Sequence, residues 1–200
     1  MASFRDEVAR LREYEEVVDI GEIARRGFAM QTFDGILTIL GVLAGNYLAE
    51  VRVPEVIIVT GLATSVSMGV SGLWGAYLTE SAERQKSLDD LQGLTLSDLT
   101  NTRIGRASGA AVVIVAVVGG MAPLLSSAVV LAPFFLTGLL GDIRYSYYLA
   151  LGVAMVGLFG LGAFLGHISK QSMVLAGLKT IIAGVVALVL SFLIEGAIPG

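Results

Sequence analysis

Four side chains in this sequence could do chemistry with a divalent cation: Asp34, Met68, Glu80 and Glu83. Asp34 sits in Phe33-Asp34-Gly35, about six residues inside an apolar run, or roughly 9 Å at a helical rise of ~1.5 Å per residue. A carboxylate at that depth in lipid costs a few kcal/mol unless a partner or water faces it, and intramembrane acids usually mark ion or proton paths. The blander reading is a structural ion pair with Lys179 or Arg26. Met68, in Val66-Ser67-Met68-Gly69, is on spacing alone a packing residue. Its thioether can also bind a borderline or soft metal such as ferrous iron. With antiparallel helices the two residues could line one channel, and Thr64, Ser65 and Ser67 could add oxygens. Glu80 and Glu83 are three residues apart, so they share a helix face and could collect a cation from solution. For two acids alone, a solvated helix end is the commoner meaning. Glu15, Glu16, Asp19 and Glu22 before the first apolar run, and Asp89, Asp90 and Asp98 after the second, thicken an acidic mouth that would concentrate cations.

Other polar residues offer less. Lys179 is placed to snorkel to the interface. His167 ends an apolar run, where one histidine is more often a hydrogen-bonded bystander than a ligand. Asn46 and Glu50 could line an exit. The chain has 1 histidine and 0 cysteines, which excludes disulfides, thiolate metal sites, cysteine nucleophiles and a multi-histidine site within one chain. No Ser/His/Asp arrangement, P-loop or dinucleotide fingerprint is present, so neither an enzyme nor a resident cofactor is expected. The net charge of −4 gives no case for nucleic acid.

These groups must be positioned by membrane helices. Hydrophobic residues are 55% of the 200-residue chain and charged ones 15%, against about a quarter charged in soluble domains. Mean hydropathy is +0.81. Five apolar segments, near 28–49, 56–78, 105 into the 130s, 147–165 and 173–194, each approximate the ~20 residues that cross a bilayer. Pro123 and Pro133 could kink or split the third. The expected organisation is an amphipathic helix over 1–27, lying at the membrane surface or solvated in the cytosol, two spans over 28–80, a short cytoplasmic loop over 81–104 with short interfacial helices, and three spans over 105–200. No cleavable leader is expected, because the first residues are charged and acidic. Glycines at 69, 72 and 75, and at 157, 160, 162 and 166, allow close helix packing, within the chain or between two chains.

Basic residues set the expected topology. Arg5, Arg10, Arg12, Arg25 and Arg26 precede the first span, the 81–106 stretch adds Arg84, Lys86, Arg103 and Arg106, and Lys170 lies between the last two spans. The alternate connections hold only Arg52 and Arg144. The positive-inside bias puts the N-terminus in the cytoplasm and, after five spans, the C-terminus outside.

Three stretches resemble the vacuolar iron transporter family. Asp34-Gly35-Ile36-Leu37-Thr38 with Gly41-Val42-Leu43-Ala44-Gly45 is similar to its first helix. Val66-Ser67-Met68-Gly69, with Gly72, Gly75, Tyr77-Leu78 and Glu83-Arg84, is similar to its second. Gly177-Leu178-Lys179 through Ala183-Gly184 to Phe192-Leu193-Ile194 is similar to its last. The resemblance implies a five-helix homodimer with the ion path between subunits, exporting ferrous iron and sometimes manganese from the cytosol in exchange for protons. It places Asp34 and Met68 in the path, and Glu83 at the start of a cytosolic metal-binding region. Two features depart from the family pattern. Thr60-Gly61-Leu62-Ala63-Thr64 has no acid where the family carries a glutamate, and 81–103 is short and poor in glutamate.

The expectation is therefore a divalent-metal transporter in a prokaryotic cell membrane, with Asp34, Met68, Glu80 and Glu83 as metal-binding residues and iron or manganese as substrate. The alternatives are a non-transporting scaffold or accessory protein that keeps the fold, and a transporter of another cation.

Overall fold

The computed structural model describes residues 20–95 and 102–197. All regular structure in them is helical: α1 (Ile20–Leu48), α2 (Pro54–Thr95), α3 (Arg103–Phe135), the single turn α4 (Thr137–Leu140), α5 (Ile143–Ile168) and α6 (Met173–Ala197). Five of these, all but α4, are long and apolar enough to cross a membrane. The protein is an all-α membrane protein. Most of the amphipathic helix expected over 1–27 lies outside the described residues, as do Glu15, Glu16, Asp19 and Asp98.

The helices outrun their apolar windows. The 81–104 segment, expected as a loop, is helical through Thr95. Its polar residues support the helix through pairs four residues apart. Arg84 Nε donates to Glu80 Oε1 at 2.6 Å, Gln85 Nε2 to Asp89 Oδ1 at 2.9 Å, and Ser87 Oγ to the Glu83 carbonyl at 2.9 Å. Apolar length limits the part of a helix that lies in lipid; i,i+4 pairs can carry the rest into water. Pro54 starts this helix, where a fixed φ helps and no N–H is missed. Pro123 and Pro133 do not split α3, which is continuous from Arg103 to Phe135; apolar spans tolerate such prolines when neighbours re-satisfy the backbone.

The chain divides into two compact units. One holds the described residues up to Phe28 with Val70–Met121, the other Ala29–Gly69 with the described residues from Ala122 on. In the first, α2 and α3 approach closely. A Cβ on Gly119 would lie 3.1 Å from the Gly72 carbonyl oxygen and 3.0 Å from the Ala76 Cβ. The core of the second joins Ile39, Leu40 and Leu43 of α1, Ile57 of α2, Leu131 and Phe134 of α3, and Tyr147, Ala154 and Leu158 of α5. There α5 and α6 pack on glycine. A Cβ on Gly162 would clash with Thr180 Oγ1 and reach 2.6 Å from the Ala176 carbonyl oxygen. Thr180 Oγ1 also donates to the Leu158 carbonyl at 2.7 Å, tying α6 to α5. Gly162 and Gly166 thus serve packing within the chain, while Gly160 faces open space.

Candidate functional site

The placement of Asp34 follows from its neighbour. Gly35 is buried where α1 crosses α3. A Cβ there would fall on Ser126 Oγ and lie 2.9 Å from Pro123 Cα, so any larger residue would force the helices apart. Gly35, Ile36, Ile39, Leu40 and Leu43 form the inward stripe. At about 100° per residue this turns Asp34 outward, and its side chain is exposed. Among the described residues it makes no hydrogen bond or ion pair; the ion pairs formed are Glu50–Arg52 and Glu80–Arg84. Among the described residues the ion pair with Lys179 weighed from sequence does not form, and the Lys179 and Arg26 side chains are both exposed.

Asp34 is not alone on its face. Met30, Asp34, Thr38, Gly41 and Gly45 follow one another by three or four residues and are all exposed or half-buried. A Cβ on Gly41 or Gly45 would meet nothing within 4 Å. This outward stripe carries one acid, one hydroxyl and two bare stretches of backbone. The sequence singles out Asp34 for its charge; Thr38 and Gly41 share its face because helical spacing from residue 34 contains them.

Met68 is half-buried on α2, in the same compact unit as Asp34. The hydroxyls near it turn onto their own helix. Ser65 Oγ, buried, donates to the Gly61 carbonyl at 2.7 Å, and Thr64 Oγ1 to the Thr60 carbonyl at 2.8 Å. Their protons are engaged, and the oxygen lone pairs remain to accept or ligate.

Glu80 and Glu83 belong to the other unit and differ from each other. Glu83 is exposed. Glu80 is largely shielded, its side chain 13% exposed, and held by Arg84, itself 17% exposed. The two carboxylates therefore do not act as an open pair, because one is already neutralised. Among the described residues no three of His, Asp or Glu gather as a metal site. Asn46 donates to the Val42 carbonyl of its own helix at 2.9 Å, and His167 is exposed.

No family model matches the chain. The uncharacterized protein MJ0645 of Methanocaldococcus jannaschii is 30% identical over 184 residues, a match covering 88% of this chain and 91% of the relative. The chain belongs to one family with it. The match spans nearly the whole of both proteins. The relative's name states no substrate or activity.

Proposed function

We propose that this protein is a homodimeric transporter that exports a divalent metal, ferrous iron or manganese, from the cytoplasm in exchange for protons. Its N-terminus is cytoplasmic and its C-terminus outside, in a prokaryotic cell membrane, as the excess of Arg and Lys in alternate connections favours. The observation that carries the reading is Asp34, an exposed carboxylate in an apolar span with no partner among the described residues. Left against lipid it would cost a few kcal/mol. A cation, a proton or a second chain facing the 30–45 stripe removes that cost. Binding metal and proton in turn is the exchange an antiporter needs. Met68 supplies a soft donor that favours iron over magnesium or calcium, and Glu83 gathers the ion at the cytoplasmic end.

The Glu80–Arg84 pair favours a second reading, a membrane scaffold that keeps the fold without transport, since one of the expected collecting acids is engaged. A flux assay decides between them. Protein in liposomes should move ferrous iron or manganese with opposing proton movement, and Asp34→Asn should abolish it. No flux of either metal by the wild type would favour the scaffold; unchanged flux in Asp34→Asn would sink the site.

A further inference from the structure

Two arginines stand apart in this sequence. Arg52 is the one Lys or Arg between Arg26 and Arg84, and Arg144 the one between Arg106 and Lys170. They lie more than ninety residues apart, in the α1–α2 connection and the first turn of α5, yet both line one cavity of about 260 Å³ within the second unit, with Tyr47, Glu50 and Tyr147. The cavity sits where α1 ends and α2 and α5 begin, at the ends of three apolar spans and so at the depth of a bilayer's polar surface.

Its walls are fixed. Tyr147 Oη donates to the Val51 carbonyl at 3.0 Å, which pins the α1–α2 connection to α5. Tyr147 is wedged edge-on between Tyr47 and Phe134, with centroids 5.2 and 5.0 Å apart. Glu50, at φ 54°, turns the chain so that Arg52 follows it into the cavity wall. The guanidiniums are uncommitted. Arg52 meets Glu50 only at 3.7 Å with both side chains mostly in water, a contact that holds an arginine weakly. The Arg144 side chain forms no ion pair among the described residues, and only its backbone N–H is used, by the Asp142 cap at 2.9 Å.

We propose that this cavity binds a phosphate group at the membrane surface. Arginine forks match phosphate oxygens two at a time. The tyrosines give an amphipathic collar suited to the interface, and Glu50 can accept a hydrogen bond from a hydroxyl or ammonium carried beside the phosphate. The volume suits a polar headgroup. The phosphate is therefore that of an anionic lipid headgroup or a free ion with the same chemistry.

Full-length protein in neutral detergent tests this. Native mass spectrometry with dioctanoyl phosphatidylglycerol, and calorimetric titration with inorganic phosphate, should give saturable binding in at least one arm, and the arm that binds identifies the source. The double variant R52Q/R144Q should weaken it by at least about tenfold, because hydrogen bonds to charged groups are removed. R52K/R144K, which keeps charge without the fork, should fall between, and Lys170→Gln should bind as wild type. Thermal unfolding of each variant separates lost binding from lost fold. Absence of binding in both arms, or unchanged binding in a folded R52Q/R144Q protein, overturns the proposal.

Discussion

Asp34 and Glu80 are both acids on long membrane helices, and the protein treats them oppositely. Glu80 has its counter-charge one turn away on the same helix, at 2.6 Å and shielded from water. Asp34 has no partner among the described residues and faces out of the chain. The difference teaches where each charge is balanced. The Glu80 carboxylate is balanced by sequence-local chemistry and belongs to the stability of α2. The Asp34 carboxylate has no counter-charge among the described residues, and the proposed metal path rests on that difference.

The comparison breaks first at Asp34. Asp34→Asn should abolish metal flux, leaving less than about a hundredth of the wild-type rate, since even outer-shell partners of a metal site cost ~10–100-fold when lost. Asp34→Leu should abolish flux yet make the protein more stable in a bilayer by ~2–3 kcal/mol, since an unpaired acid leaves lipid. Flux into liposomes and denaturant unfolding in bicelles measure the two. If Asp34→Leu unfolds the protein, the carboxylate has a structural partner.

At Glu80 the sign reverses. Glu80→Leu strands the Arg84 guanidinium in a shielded place, so stability should fall by roughly 1–3 kcal/mol. The double variant Glu80→Leu with Arg84→Leu should recover most of that loss. A double variant as unstable as Glu80→Leu alone would mean that Glu80 acts through something other than Arg84.

Gly35 and Gly41 sharpen the comparison at the level of packing. Gly35→Val drives a side chain into Ser126 and the Pro123 backbone and should cost about 1–3 kcal/mol. Gly41→Ala enters open space and should stay within about 0.5 kcal/mol for the single chain. A large effect of Gly41→Ala on dimer dissociation, with the fold intact, would place a second chain on the Asp34 stripe.

Much of this architecture is legible in the residues, and some of it is not. Five apolar runs declare five helices because lipid demands about twenty apolar residues per crossing. The extension of α2 past Leu78 is hidden by the same rule, since a helix leaving lipid turns polar without ceasing to be a helix. Its signal is the Glu80–Arg84 and Gln85–Asp89 spacing. Asp34 stands out because a carboxylate is rare in such a run. That it is exposed and unpaired depends on which side of α1 meets α3, and only the tight place at Gly35 decides that. The cavity between Arg52 and Arg144 is not legible at all, because its two halves are far apart in sequence.

A subtler effect on selectivity is expected at Met68, where packing and chemistry make different claims on one side chain. Met68→Leu keeps volume and apolarity, so stability should change by less than ~1.5 kcal/mol. It removes the single soft donor near Thr64 and Ser65 and leaves their oxygens in place. Oxygen ligands suit magnesium and manganese, whereas thioether sulfur favours softer ions. Ferrous iron flux should therefore fall several-fold in Met68→Leu while manganese flux falls less, and the ratio of the two is the informative number. Equal losses would mean that the substitution disturbs the path's shape, and unchanged flux for both would return Met68 to packing. In either case Asp34 would be left as the site's one acid, with selectivity set by geometry alone.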